Sequence, residues 1–199
     1  MKHLNIYLFE AIHNEKEYRK ICDMQPKLSK LDIKYLKKYC YNDYSIELND
    51  KLRNKEQLNK KDFEFVSYLD ILISKNSLPT DIVANRFVSL DSLYYLTGID
   101  NYIPNETIEE KVKRLKRELS NLFNLKQTNS FISCSLNNGL FYRDRLKIVI
   151  NIKAGSPCLV PGNYKEDEII LPRNATLYLK KFKIQNKSNR IYVTLYCDY

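Results

Sequence analysis

Apolar residues recur at helical spacing through the first half of the chain and in short strand-like runs through the second. In residues 60–75, Phe65, Leu69, Leu72 and Ile73 fall on one face of a 3.6-residue period, and the pattern stops before the LPTD turn at 78–81. Ile33, Leu36 and Lys37 begin a shorter helical pattern. A third follows Pro104: Thr107 and Glu110 make a capping box, and Ile108, Val112, Leu115, Leu119 and Leu122 recur at helical spacing. Residues 131–136, 146–152, 168–171, 176–184 and 190–196 are short, rich in Ile, Val, Tyr and Phe, and separated by Asn, Gly and Pro turns, which predicts strands. Helices first and strands later, without regular alternation, predict an α+β domain with antiparallel pairing. At 199 residues the chain fits one domain, residues 1–199, and no repeat or linker divides it.

Composition narrows the chemistry. With four glycines and no GxGxxG, dinucleotide binding through a Rossmann fold is disfavoured. Only two histidines, His3 and His13, leave little for histidine-based catalysis or a multi-histidine metal site. The five cysteines are scattered, odd in number and lack a CxxC pair, so neither zinc nor a full disulfide framework is expected, and a reducing compartment fits best. No apolar stretch reaches the length of a membrane span, and the amino-terminal residues lack the apolar core of a secretory signal. The formal charge of +9 calls for an anionic partner without choosing among nucleic acid, a phosphate-bearing cofactor and an acidic protein. Basic residues are dispersed, and the densest run, EEKVKRLKRE, alternates with acids like an exposed helix face, so nucleic acid is the less favoured partner.

The stretch NYKEDEIILPRNAT sets three acidic residues against an apolar run. Taken alone, such a triplet reads as a solvated loop. Three other segments change that reading: YCYNDYSIELNDKLR ending at Arg53, DIVANRFVS around Arg86, and SFISCSL around Ser133, Cys134 and Ser135. In this order, with Phe141 and Gly155-Ser156 between the serines and the acidic run, they resemble the mono-ADP-ribosyltransferase exoenzymes of bacteria. That family includes the Rho-modifying clostridial exoenzymes and the catalytic chains of binary actin-modifying toxins. The resemblance spans about residues 31–184. It implies helices packed on a core of two mostly antiparallel sheets, the ADP-ribosyltransferase fold.

It also implies roles. Glu168 is the expected catalytic carboxylate, Ser133 its hydrogen-bonding partner, and Glu166 the residue that selects the acceptor. Arg86 and Arg53 are expected to grip the diphosphate of NAD. Asn49 and Tyr39 match the helix motif, with one residue more between them than the family has, and Tyr41 and Tyr44 compete with Tyr39. Cys134 replaces a family threonine. On a strand it faces away from Ser133 and Ser135, which makes the replacement tolerable. Phe141 is expected near the nicotinamide or in the core, and Tyr164 at the partner or capping the strand. On an extended segment Glu166 and Glu168 point to one side and Asp167 to solvent. In the family, glutamate at the first position goes with arginine acceptors.

The implied activity is transfer of ADP-ribose from NAD, used as co-substrate without a metal, to an arginine of a target protein. Two settings fit: a toxin delivered to a host cytoplasm and acting on actin or a similar protein, and a cytoplasmic phage enzyme acting on a protein such as RNA polymerase. Two alternatives share the fold: an NAD glycohydrolase, and a catalytically silent binding module with a basic surface.

Overall fold

The computed structural model describes residues 15–40, 44–126, 129–136, 145–162 and 167–199. Helices α1 (Glu15–Met24), α2 (Lys30–Cys40), α3 (Tyr44–Arg53) and α4 (Lys60–Ser74) precede strand β1 (Ile82–Val88). Helices α5 (Ser92–Thr97) and α6 (Ile108–Ser120) follow, then β2 (Ile132–Ser135), β3 (Leu146–Ile152), β4 (Glu168–Leu171), β5 (Tyr178–Lys187) and β6 (Arg190–Asp198). The expected α+β class is observed, but the helices are not all ahead of the strands: β1 precedes α5 and α6.

Helix starts are written in the sequence. Ser29 and Asp32 exchange hydrogen bonds across the first turn of α2, the Asn59 side chain accepts from the Asp62 amide at α4, and Thr107 with Glu110 forms the capping box of α6. The apolar face of α4 is buried at Phe65, Leu69, Leu72 and Ile73. All four residues of β4 are buried, because both of its faces are covered, and this explains its unbroken apolar run after Glu168.

The strands lie in the order β4-β2-β1-β3-β6-β5. Pairing is antiparallel except between β3 and β6. One face carries a core to which α1, α5 and α6 contribute Ile21, Leu93, Leu115 and Leu119. The opposite face, at the β2–β4 end, packs Phe131 and Ile170 against α2, α3 and α4. β1 pairs with β3 along its whole length, yet it meets β2 only at Asn85 and Ser135. Two half-sheets, β4-β2 and β1-β3-β6-β5, are therefore joined at one residue pair. Beyond that pair they part, and the gap is where chemistry-bearing residues collect.

A second feature secures α6. Arg114 makes a two-pronged bond to Glu106, at 2.6 and 2.8 Å, and also donates to the Asp100 carbonyl. Both side chains of the pair are nearly buried. The Arg114 hydrogen bonds hold the Glu106 carboxyl below its ordinary value. A depressed carboxylate stabilises the fold above its unfolded pKa and loses that contribution as pH falls through the folded value. Glu106→Gln should lower the unfolding free energy by about 2 kcal/mol at neutral pH. Urea unfolding should show the difference shrinking as pH drops below the ordinary glutamate value of 4.5. A difference independent of pH would contradict this assignment.

Candidate active site

The gap between the half-sheets is held open by Arg86. Its Nη1 donates to the Ser133 carbonyl oxygen at 2.6 Å, a β2 acceptor left without a ladder partner where β1 and β2 separate. A cavity of about 420 Å³ occupies the same gap. Arg86, Val88 and Ile148 wall it on one side, Ile132 on the other, and Arg53 reaches it from the end of α3. That volume lies within the usual range for small-molecule sites, roughly 300–1,000 Å³. Burial lowers the Arg86 guanidinium below its ordinary value, and nearby Arg53 acts in the same direction. Arg53 also pairs with Asp50 on its own helix. Two guanidiniums facing one cavity suit a multiply charged anion such as a diphosphate, which accepts their forked donors.

Ser133 couples this gap to Glu168. Its Oγ donates to Glu168 Oε1 at 2.5 Å. β2–β4 register sets Ser135 opposite Glu168 and Ser133 opposite Ile170, so both serines share a face with the carboxylate. Glu168 is 5% exposed. From α1, the Tyr18 hydroxyl donates to the Glu168 backbone carbonyl at 2.9 Å, fixing the strand where the carboxylate leaves it. Burial raises the Tyr18 pKa well above its ordinary value, so the hydroxyl keeps its proton and remains a donor.

Cys134 turns to the opposite face, into the main core, where its thiol donates weakly to the Ile169 carbonyl. Burial raises its pKa far above the ordinary thiol value, which rules it out as a nucleophile at neutral pH.

Three expectations need revision. Tyr39 is 1% exposed and edge-packed on Phe131, with its hydroxyl accepting from Asn49 Nδ2 at 2.8 Å. Asn49 Oδ1 in turn accepts from the Phe131 amide at 3.0 Å. Tyr39 and Asn49 thus brace α2, α3 and the start of β2 against one another, and neither offers its polar atoms to the cavity. Tyr44 is committed elsewhere, to Asp62 at the start of α4. Asp167, expected to face solvent, is 6% exposed and left-handed (φ 47°), with its carbonyl accepting from the Leu136 amide. The backbone at Asp167 is therefore turned, not extended, one residue before β4 begins. Glu166, Tyr41, Phe141 and Tyr164 lie outside the described residues.

Tyr18 and the cavity-lining Ser92, Tyr95 and Lys126 were not signalled by any motif. Tyr18, Ile21 and Cys22 do fall at helical spacing, which is the signal that marks α1 as packed on the core. Among the described residues no cluster of three or more His, Cys, Asp or Glu is placed to hold a metal, and no helix is long and apolar enough to cross a membrane.

Comparison with known proteins agrees with the fold. Among solved structures the chain is similar to Plx2a, an ADP-ribosyltransferase toxin from Paenibacillus larvae. The identity is 21% and the TM-score 0.70, over 92% of this chain and 91% of that one. It is similar to the C3 exoenzyme of Clostridium limosum at 21% identity and a TM-score of 0.72, over 94% and 96% of the two chains. BECa, an ADP-ribosylating toxin of a binary enterotoxin of C. perfringens solved with NADH, matches at 14% identity and a TM-score of 0.66, over 92% of this chain and 44% of that one. No curated protein matches. Identities this low carry the fold alone. The family assignment comes from the sequence model of the ADP-ribosyltransferase exoenzymes, which matches residues 13–197, nearly the full length: the chain belongs to the ADP-ribosyltransferase exoenzyme family.

Proposed function

We propose that this chain transfers ADP-ribose from NAD to an arginine side chain of a target protein, with Glu168 as the catalytic carboxylate. The observation that carries the proposal is the Ser133–Glu168 hydrogen bond beside the carbonyl that Arg86 holds. Nicotinamide leaves its ribose as a neutral molecule, taking the electron pair of the glycosidic bond, so no acid is needed. The barrier lies in the positive charge that develops on the ribose, as in glycoside hydrolysis. Glu168 would accept a ribose hydroxyl and face that charge, with its rotamer fixed in advance by Ser133. Arg86 and Arg53 would hold the diphosphate in the cavity and leave the riboside end toward Glu168. Glu166 would orient the acceptor guanidinium and take the proton it loses as its nitrogen bonds to the ribose carbon. Water in place of the guanidinium gives NAD hydrolysis at the same residues.

Tyr18 acts on this chemistry through Glu168. Tyr18→Phe should lower kcat for nicotinamide release about three- to tenfold, the usual effect of one neutral hydrogen bond. KM for NAD should stay unchanged, because Tyr18 does not touch the cavity. A change in KM with kcat intact would show that the contact serves binding instead.

The acceptor is tested by incubating host-cell lysate with labelled NAD and mapping the modified side chain by mass spectrometry. ADP-ribosyl-arginine supports the proposal. Label on asparagine alone refutes the acceptor assignment. Nicotinamide release without any labelled protein favours the hydrolase, and no release at all favours a silent binding module. The target is expected to be a cytoplasmic protein, with actin and RNA polymerase as the first candidates to test.

A further inference from the structure

We propose that the outward face of the β5–β6 hairpin binds a single-stranded nucleic acid, with its cations on the phosphates and Tyr192 under a base. The surface lies apart from the transfer chemistry and uses none of its residues. Phe182 and Ile184 of β5, and Ile191, Val193 and Leu195 of β6, belong to the main core. Alternation therefore turns Lys181, Lys183, Gln185 and Lys187 outward, with Arg190, Tyr192, Thr194 and Tyr196 beside them. Register pairs Lys181 with Tyr196, Lys183 with Thr194, Gln185 with Tyr192, and Lys187 with Arg190. Lys147 of β3 continues the Thr194 row. The described helices pack elsewhere: α1, α5 and α6 on the core face, and α2, α3 and α4 at the β2–β4 end.

Charge on this face is one-sided. Residues 169–197 contain no Asp or Glu, and Lys181, Lys183, Lys187 and Arg190 are all exposed. Cations that look dispersed along the sequence are gathered here by strand register. Lys187 and Arg190 stand directly opposite each other across the hairpin, which costs stability for like charges. Among the described residues neither of them, nor Lys183, has an acidic partner, whereas Lys180 pairs with Asp198 at the far end of the hairpin. A bound anion would relieve the repulsion. Lysine on an edge strand also deters pairing with other chains, and β5 is an edge. That role does not extend to Arg190 and Tyr192, which lie on β6, an interior strand of the sheet.

A basic surface suits nucleic acid, an acidic protein or an anionic bilayer, and Tyr192 decides among them. Its half-buried ring lies in the row between those of Lys183 and Lys187, which stand roughly 7 Å to either side along β5. A base laid on the ring would have a cation before and after it for the flanking phosphates. Aromatic side chains under bases, with lysine and arginine tracking the backbone, are how open sheet surfaces hold single strands. In a duplex the bases are stacked on one another and their faces cannot reach the ring. Lysine is depleted from the cores of protein–protein interfaces, which disfavours an acidic protein. A bilayer takes projecting apolar side chains, and every large hydrophobic side chain from 181 to 196 is buried or half-buried.

The test is fluorescence anisotropy of the full chain with a labelled oligouridylate and with its oligoadenylate duplex. Poly-L-glutamate serves as competitor, and phosphatidylserine vesicles are tested by co-sedimentation. The single strand should bind more tightly than the duplex, and polyglutamate should compete poorly. Tyr192→Ala should weaken single-strand binding about tenfold, and Tyr192→Phe, which keeps the ring, should not. Lys183→Gln should make the plot of log affinity against log salt shallower by about 0.7, the share of one phosphate contact. Lys187→Gln combined with Arg190→Gln should weaken binding yet melt no lower than wild type, because it removes a repulsive pair. Nicotinamide release should be unchanged in all of these variants, which separates this surface from the NAD site. No binding of the oligouridylate at low salt overturns the inference. So does an affinity indifferent to Tyr192 with polyglutamate competing equally, which would mark a surface that senses charge alone. Vesicle binding without oligonucleotide binding overturns it in favour of a lipid surface.

Discussion

Glu168→Gln is expected to abolish nicotinamide release and ADP-ribose transfer together, by at least about 10²–10³-fold. The two side chains have nearly the same shape, and a Gln oxygen still accepts from Ser133 Oγ, so the site should fold as before. What is lost is the negative charge. In the proposed complex that charge would face the reacting ribose from a nearly buried position, where it is worth far more than in water. Because the barrier is cationic, transfer and hydrolysis both need it and should fall in proportion. A thermal melt close to wild type would establish that the loss is chemical. Substantial release by a folded Glu168→Gln would remove this residue from the reaction.

Glu166→Gln should separate the two activities. A guanidinium is a poor nucleophile until it is oriented and relieved of a proton, and general-base help of this kind is worth about 10²-fold or more. Water needs no such help once the oxocarbenium has formed. Transfer to arginine, or to a soluble guanidino compound such as agmatine, should therefore drop about 100-fold while hydrolysis of NAD persists. The informative quantity is the ratio of the two rates. Equal losses would mean that Glu166 serves the cleavage step itself, and the division of labour between the two glutamates would fail.

Sequence and structure divide the explanation in a regular way. Periodicity exposed the buried face of α4, and Thr107 with Glu110 exposed the start of α6, because local patterns of this kind depend on neighbours three and four residues away. The SCS strand and the run from Glu168 were legible from their own apolar, β-rich composition, whereas the strand carrying Arg86 was signalled only by the family motif. Contacts made across long separations were not. Tyr18 reaches Glu168 over 150 positions, and nothing in the sequence of α1 says which backbone oxygen its hydroxyl meets. Tyr39 and Asn49 carry a motif, but nothing in the motif shows that Tyr39 is buried and hydrogen-bonded to Asn49 between helices. Asp167 misled for a simpler reason: alternation assumes an extended chain, and its left-handed backbone breaks that assumption one residue before the strand begins.

The fold also explains why Arg86 sits where it does. A β strand that stayed paired with β2 would have closed the cavity; pairing at Asn85 alone opens it and leaves the Ser133 carbonyl for the guanidinium.

The most direct measurement is a crystal structure of the Glu168→Gln protein with NAD bound. The diphosphate is expected between Arg53 and Arg86 in the gap between the half-sheets, and the nicotinamide ribose within hydrogen-bonding distance of position 168. A dinucleotide seated on any other surface, or in the gap with its nicotinamide end turned away from position 168, would contradict it.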